Sequence, residues 1–309
     1  MITVSIVIST YKRPARLREA LLSCIEQTYL PHEIVVGDDS PDNLTKQVVV
    51  EMQKQTSVLI RHIHNKPFLK QAANTNMLFS SATGDKVVLL HDDDLLMPEA
   101  LATMVQCFND NPDAEVVFGK QHIISDDGII SDESSVSYNT DYYRSKEYEG
   151  AVLTPLEAGI GQQFPNNAYM VNTSIVRKIQ FRTHDDLNIP LGNGCEYDFG
   201  ARIGLQGHKM YFIDQFLAKY RISEVSMSKS KTDDAAYQAF RVLKDIPVHS
   251  ERSKKIKDQR LYDKAPIAIT QAVNLRKRKD ALSIFFSPWY AKRIISLGGI
   301  KRILYIMFG

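Results

Sequence analysis

The chain has 309 residues, of which 44% are hydrophobic and 24% are charged, and its formal net charge is +2. These values exclude an intrinsically disordered chain and predict one large α/β domain with an extension, or two domains. The charge is unevenly divided, because residues 229–309 hold 18 lysines and arginines against 7 aspartates and glutamates, whereas residues 1–228 carry a net charge of −9. We therefore expect a domain boundary between 228 and 229, followed by a basic extension that favours an anionic partner.

The cysteines and the N-terminal sequence bear on the compartment. Cys24, Cys107 and Cys195 are odd in number and far apart, which predicts a reducing compartment and no zinc site. Met1 is followed at once by a strand-like sequence, so we expect no signal peptide. No apolar run reaches the length of a membrane span. We expect a cytoplasmic protein, either free or peripheral on the inner face of the cell membrane.

Strands and helices alternate through the first hundred residues. Short apolar runs predict strands over 3–9, 33–37, 58–63 and 87–90. Amphipathic spacing predicts helices that begin at Pro14 and span 44–55 and 70–81, and a further helix with Pro98 in its first turn. This alternation is typical of a mostly parallel sheet with right-handed crossovers.

Polar clusters follow three of these strands, at 9–11, 38–40 and 92–94. The carboxyl ends of parallel strands meet at one edge of a sheet, where open α/β sheets bind their ligands. The aspartates at 92–94 repel one another unless a cation lies among them, and hard oxygen donors suit Mg²⁺ or Mn²⁺. An isolated acidic triplet is otherwise typical of a solvated turn.

The sequence has no GxGxxG after the first strand and no GxxxxGK[ST], so neither a dinucleotide fold nor a P-loop is supported. Asp38 or Asp39 is a candidate acceptor for the imide N–H of a base, which uracil and thymine carry and cytosine lacks. A helix-cap or turn role is the alternative for these aspartates.

Five motifs occur in a fixed order: VSIVISTYKRP, EIVVGDDSPDN, NMLFSSATG, LLHDDDLLMPEAL and CEYDFGARIGLQGHKMYFIDQFLAKYRIS. In this order and spacing they resemble the inverting family 2 glycosyltransferases of the GT-A fold, over about residues 1–225. The resemblance implies an α/β fold with a Rossmann-like, mostly parallel sheet flanked by helices, here with a C-terminal helical extension. It also implies a nucleotide-sugar donor, with a UDP-sugar favoured, and Mn²⁺ or Mg²⁺ bridging the diphosphate.

The resemblance assigns residues of the first four motifs to the donor and the metal. Asp93 aligns as the metal ligand, with Asp94 as a second carboxylate. The nucleotide-sugar-binding candidates are Ser9, Thr10, Tyr11, Arg13, Asp38, Asp39, Asn76 and Asp92.

Two positions depart from the family pattern. His91 stands where relatives often have a further aspartate, and Ser223 stands where many have a histidine. We therefore expect the protein to supply fewer metal ligands, so that metal binding depends more on the substrate's phosphates.

Sugar transfer to an alcohol needs a general base within hydrogen-bond reach of the acceptor hydroxyl. The resemblance places this base at the start of the helix EYDFGARIG, on Glu196, where relatives more often have aspartate. Asp198 is the second catalytic candidate, and a structural or helix N-terminal role is the alternative for both residues. Lys219 and Arg221 are either phosphate ligands or surface charges.

The middle of the chain carries weaker patterns. Residues 114–130 read as a strand and hairpin with its turn at 126–128. Residues 134–149 are polar and tyrosine-rich without apolar periodicity, which predicts a mobile surface loop. Asn166 and Asn167 then offer amides suited to sugar hydroxyls.

The basic extension reads as helices that begin near Asp233 and span about 267–276, with a break at Pro247. The last thirty residues interleave apolar and aromatic side chains with lysines and arginines. This pattern is typical either of a helix in a membrane interface or of a face that packs on the catalytic domain or on a second subunit of a homo-oligomer. Nucleic acid is not an expected partner, because no known binding module is recognisable.

We therefore expect a metal-dependent hexosyltransferase that moves a sugar from a nucleotide-diphosphate donor to the hydroxyl of a glycan or lipid-linked acceptor in bacterial-type surface polysaccharide biosynthesis. A sugar nucleotidyltransferase is the alternative among enzymes, although a Gly-rich basic loop is absent after the first strand. A catalytically silent glycan-binding or scaffold relative is the alternative outside enzymes.

Overall fold

The computed structural model describes residues 1–222 and 232–308, so the predicted boundary and Ser223 lie outside the described residues. The strands are β1 (Val4–Thr10), β2 (Glu33–Asp38), β3 (Leu59–His64), β4 (Lys86–His91), β5 (Leu95–Leu96), β6 (Val116–Ile124), β7 (Ile130–Ser131), β8 (Tyr169–Asn172) and β9 (Met210–Arg221). The α-helices are α1 (Pro14–Ile25), α2 (Leu44–Gln53), α3 (Lys70–Ser81), α4 (Ala100–Asp110), α5 (Asp132–Asp141), α6 (Pro155–Ile160), α7 (Thr173–Lys178), α8 (Cys195–Leu205), α9 (Ala235–Asp245), α10 (Glu251–Asn274), α11 (Arg278–Phe285) and α12 (Leu297–Phe308).

The strands form one mixed sheet in the order β3-β2-β1-β4-β8-β6-β9-β5, and β7 pairs with β6. β1 to β4 are mutually parallel, as are β6 and β9, whereas β8 is antiparallel to its neighbours β4 and β6. The predicted α/β class, with a mostly parallel sheet, flanking helices and a helical C-terminal extension, is confirmed.

The central strands supply two hydrophobic layers, one on each face of the sheet. Val7 and Leu89 belong to one layer, and their neighbours Ile8 and Leu90 belong to the other. Because a strand directs successive side chains to opposite faces, a continuous apolar run buries both faces of the sheet. Helix α1 begins with Pro14, whose ring suits a first helical turn, and packs on the second layer.

The segment 134–149 is not the mobile loop that its composition predicted. Helix α5 spans the first half of it, and the α5 residues Ser135 and Asn139 are buried against β6. The Asn139 amide bonds to both backbone groups of Gln121, and the Ser135 hydroxyl accepts a hydrogen bond from the Ile123 N–H. Because this helix packs through hydrogen bonds, it lacks the apolar periodicity on which the prediction depended.

The C-terminal helices pack on the first hydrophobic layer. Phe240, Leu261 and Ile306 belong to the same buried cluster as Tyr197 and Ile160 of the preceding part of the chain. Among the described residues, no helix combines the length and apolarity needed to cross a membrane.

Helix α10 begins 16 residues before the predicted 267–276 segment and contains Pro266. Proline lacks the backbone N–H that would bond to the carbonyl four residues earlier, at Tyr262. The Arg293 guanidinium donates to that carbonyl at 2.8 Å. A distant side chain therefore satisfies the group that the proline leaves without a backbone donor.

Glu157 connects α6 to α10. Its carboxylate accepts hydrogen bonds from the Thr154 N–H, the Arg252 guanidinium and the Ser253 hydroxyl, each with one contact at 3.0 Å. Burial alone would raise the pKa of Glu157, but these bonds outweigh it and lower the pKa from 4.5 to about 2.

We expect Glu157→Gln to lower stability by about 2 kcal/mol at pH 7, and this difference should shrink as the pH falls from about 4.5 toward 2. A carboxyl with a depressed folded-state pKa contributes stability above its unfolded-state pKa, and the contribution is lost as both states become protonated. Urea unfolding at pH 7 and pH 3 measures the difference, with the exposed Glu26→Gln as control. A difference that does not change with pH would contradict the assignment.

Candidate active site

The polar clusters of the first, second and fourth strands meet at one edge of the sheet. Thr10 lies opposite Asp38 in the strand register, and Ser9 lies opposite His91. The Thr10 hydroxyl donates to Asp92 Oδ2 at 2.7 Å. The predicted convergence of these three strand ends is therefore present in the structure.

Arg13 bridges two of the three consecutive aspartates. Its Nη1 lies 2.7 Å from Asp93 Oδ2 and 3.2 Å from Asp92 Oδ1. Burial and the Asp93 charge raise the pKa of Asp92, although the Arg13 guanidinium opposes them. One guanidinium therefore offsets only part of the negative charge gathered at this edge.

The side chains of His91, Asp93 and Asp94 form a potential metal site. Each offers a ligand atom, and these atoms lie within 4.8 Å of one another. Asp94 is held by the Arg221 N–H at 2.8 Å and the Asn167 amide at 2.5 Å. Burial and the nearby Asp93 raise the pKa of the Asp94 carboxyl. A divalent cation bound here would lower that pKa again, because its positive charge stabilises the carboxylate. The residues therefore fit a metal, and His91 adds to the predicted Asp93 and Asp94.

His91 also contacts the predicted base. Its Nε2 lies 3.0 Å from Glu196 Oε1, and its Nδ1 lies 2.8 Å from the Asn167 amide nitrogen. Burial alone would lower the pKa of His91, but Glu196 and Asp94 outweigh it and raise the pKa to about 10. A metal binds an imidazole nitrogen through its lone pair, so the nitrogen of His91 that coordinates must carry no proton.

Glu196 lies at the start of α8, and only one of its two carboxylate oxygens has partners among the described residues. Gln71 of α3 donates to Glu196 Oε1 at 2.6 Å, and His91 contacts the same oxygen. Among the described residues, no hydrogen bond to Oε2 is seen, and the side chain is 11% exposed. The structure therefore holds a carboxylate beside the aspartate cluster, with one oxygen toward which an acceptor hydroxyl can donate.

Asp198 lies two residues further along the same helix and is fully buried. Its Oδ1 accepts a hydrogen bond from Arg182, and its Oδ2 accepts from both Arg182 and Arg202. Both oxygens are therefore committed to arginines. This geometry favours the structural role for Asp198. A catalytic role for Asp198 stays a prediction, and none of its contacts supports it.

The aspartates at the end of β2 have partners within the protein. Asp38 Oδ2 lies 3.0 Å from His62 Nε2. Asp39 accepts hydrogen bonds from the backbone N–H groups of Leu69 and Lys70, where α3 begins. The contacts of Asp39 at the start of α3 correspond to the helix-cap alternative, and Asp38 Oδ1 also accepts a hydrogen bond from the Ser40 N–H at 2.8 Å, which corresponds to the turn alternative. Recognition of a base by either aspartate stays a prediction.

Three other candidates differ in their availability to a ligand. Tyr11 is 52% exposed beside the site edge. The Asn76 amide bonds to both backbone groups of Phe181, at 2.8 and 2.9 Å, so the protein itself occupies the polar atoms that were predicted to meet the donor. The Arg221 guanidinium donates to the carbonyls of Asp93 and Asp126, which makes it an anchor of β9.

Sequence reasoning missed the contacts of Gln71 and Asn167. Gln71 is a single amide in the first turn of a predicted helix, and no spacing rule connects it with Glu196. Asn167 was noted for sugar hydroxyls, but its contacts with His91 and Asp94 depend on β8 lying between β4 and β6. β8 runs antiparallel to both of these neighbours, and the periodicity of a single segment does not predict such a pairing.

The family profile described as Glycosyl transferase family 2 matches residues 5–163, just over half of the chain. The chain belongs to glycosyltransferase family 2.

Relatives of the chain are named as glycosyltransferases. This family 2 glycosyltransferase is 25% identical over 220 residues to an uncharacterized glycosyltransferase of Methanocaldococcus jannaschii, a match that covers 71% of this chain and 70% of that protein. It is 34% identical over 134 residues to the GalNAc(5)-diNAcBac-PP-undecaprenol beta-1,3-glucosyltransferase of Campylobacter jejuni, which covers 43% of this chain and 42% of that enzyme.

Solved structures share the fold. The Pyrobaculum calidifontis mannosyltransferase PcManGT, in complex with GDP-Man and Mn²⁺, superposes with a TM-score of 0.66 at 17% identity, covering 99% of this chain and 87% of that one. TarS of S. aureus, in complex with UDP-GlcNAc, gives a TM-score of 0.62 at 16% identity, covering 99% of this chain and 82% of that one. These likenesses establish the GT-A architecture.

Proposed function

We propose that this glycosyltransferase is a hexosyltransferase that moves a sugar, with inversion, from a UDP-sugar to a hydroxyl of a glycan or lipid-linked acceptor in surface polysaccharide biosynthesis. The observation that carries the proposal is Glu196, held by Gln71 and His91 beside Asp93 and Asp94. The Campylobacter relative is named for transfer to an undecaprenol-linked glycan, which supports the acceptor class. We place this activity in the cytoplasm, on the inner face of the membrane.

The metal in this proposal is Mn²⁺ or Mg²⁺. Asp93 and Asp94 would hold it, with His91 as a third ligand through a ring nitrogen that carries no proton. A bound divalent cation supplies Lewis-acid neutralisation of the charge that develops on the departing diphosphate. The complex of PcManGT with GDP-Man and Mn²⁺ supports this assignment by analogy.

Glu196 performs the proton transfer. Its Oε2 accepts the proton of the acceptor hydroxyl, whose oxygen attacks the anomeric carbon as the bond from that carbon to the diphosphate oxygen breaks. Attack from the face opposite the leaving group inverts the anomeric centre. Gln71 and His91 fix Oε1, so the carboxylate needs little reorientation before it accepts the proton.

Calorimetric titration with UDP, GDP and dTDP, with and without Mn²⁺, tests the donor site. We expect one nucleotide to bind at least tenfold more tightly with the metal. Asp93→Asn should remove this increase while leaving metal-independent binding in place. The exposed Asp127→Asn is the matched control and should behave as the unsubstituted protein.

Two outcomes would count against the proposal. If the folded protein binds none of the nucleotides, the silent glycan-binding relative becomes the better interpretation. If Asp93→Asn retains the full metal-dependent increase, the metal ligands have been assigned wrongly, although the transferase would stand.

A further inference from the structure

Helix α12 is apolar on two faces. On one face, Gly299 and Ile306 are buried and Ile303 is half-buried where the helix packs on α10. The other face carries large apolar residues that are spaced by three and four positions and therefore form one stripe. We call this stripe the C-terminal apolar face, and it consists of Leu297, Ile300, Leu304, Met307 and Phe308.

The C-terminal apolar face is not covered by the described chain. Leu297 is 81% exposed and Phe308 is 77% exposed, and the other three members are about half exposed or more. Ile295, just before the helix, is also exposed. Single exposed apolar residues are ordinary on protein surfaces, whereas a contiguous apolar stripe marks an interaction site.

The charged residues of the C-terminal segment indicate which kind of partner the C-terminal apolar face fits. From Ala281 to Gly309 the sequence contains four lysines and arginines and no aspartate or glutamate. Arg302 of α12 donates to the Pro266 carbonyl, and Arg293, which precedes α12, bonds to α10 as described, so both guanidinium groups have partners within the protein. Lys292 and Lys301 are exposed, and Lys301 lies within one helical turn of both Leu297 and Leu304.

An exposed apolar stripe with adjoining lysines and no acidic residue is complementary to an anionic phospholipid surface. Apolar side chains of such a helix enter the boundary between headgroups and acyl chains, and the lysines attract the phosphates. An interface with another protein could include acidic side chains, so it would not explain why this segment has none. The charge pattern therefore favours a bilayer over a second copy of the chain.

We infer that the C-terminal apolar face docks this glycosyltransferase peripherally on an anionic bilayer, with α12 lying in the plane of the interface. The inference deepens the proposed use of a lipid-linked acceptor, but it rests on α12 and its charges alone. It therefore holds whether or not the assignments of donor and base are correct.

Sedimentation with vesicles tests the docking. The full chain is mixed with vesicles of phosphatidylcholine alone or of phosphatidylcholine with phosphatidylglycerol. We expect at least tenfold tighter binding to the anionic vesicles, weakened by salt. Ile300→Glu combined with Leu304→Glu should reduce this binding at least tenfold. Val50→Glu, at a half-exposed apolar position on α2, is the matched control and should leave it unchanged.

A second variant and two further measurements keep the test decisive. Lys292→Glu combined with Lys301→Glu should weaken binding to the anionic vesicles while the apolar face stays intact. Thermal melting and nucleotide titration of the same samples show whether each variant is folded, and they separate a failure of docking from a failure of the donor site.

Two results would overturn the inference. One is that the unsubstituted chain does not bind the anionic vesicles. The other is that light scattering shows a dimer which Ile300→Glu with Leu304→Glu dissociates, because a second copy would then cover the face.

Discussion

Replacing Glu196 by glutamine is expected to reduce sugar transfer by about 10²- to 10⁴-fold, the usual contribution of a general base, while donor binding changes little. Glutamine has nearly the same shape and keeps an oxygen for the contact with Gln71. It cannot take up the proton of an acceptor hydroxyl. The loss should therefore appear in kcat for transfer and not in the affinity for the donor nucleotide.

The measurement is the rate of nucleoside-diphosphate release from the sugar donor selected by calorimetry, in the presence of acceptor, alongside titration of the same variant with the nucleotide. Glu115→Gln is the matched control, because Glu115 also contacts a histidine, His208, at 3.0 Å and lies outside the strand-end site. A Glu196→Gln protein that transfers at the original rate would remove Glu196 from the role of base.

Replacing Asp198 by asparagine is expected to act on stability, lowering the free energy of unfolding by about 3 kcal/mol. The substitution leaves the Arg182 and Arg202 guanidinium groups facing a neutral amide, one end of which is itself a donor. For a chain of this size the change corresponds to a fall in Tm of roughly 5 °C. Thermal melting and urea unfolding measure it.

Asp186→Asn is a matched control on the same arginine. Asp186 contacts Arg182 at 2.5 Å, but its side chain is 91% exposed, so its loss should cost less than about 0.5 kcal/mol. If Asp198→Asn keeps the original stability and instead loses transfer, Asp198 is the base and the roles of the two carboxylates are reversed.

These predictions separate two carboxylates that the sequence ranked, with Glu196 before Asp198, but left as alternatives for the base. Glu196 and Asp198 occur in one motif and in the first turn of one helix. In the folded chain they have opposite surroundings, because Asp198 is enclosed by Arg182 and Arg202 while Glu196 points toward His91 and Gln71. The surroundings of the two carboxylates differ because of residues that are distant in sequence, so the spacing of residues within the motif does not predict the difference.

The sequence by itself determined the α/β class, the order of the first strands and helices, the convergence of polar residues at the strand ends, and the family. Each of these follows from local patterns: continuous apolar runs for strands that are buried on both faces, prolines at helix starts, and short motifs at strand ends. Helix α3 was predicted with its observed bounds, Lys70–Ser81.

Only the tertiary structure decided which side chains have partners. Helix α5 depends on the hydrogen bonds that Ser135 and Asn139 form with β6, and the Tyr262 carbonyl in α10, which Pro266 leaves without a backbone donor, accepts a hydrogen bond from Arg293. The surroundings of Glu196 and the exposed face of α12 were decided in the same way. Local sequence records what the backbone of a segment prefers, whereas the satisfaction of its charges and polar groups depends on segments that meet only when the chain folds.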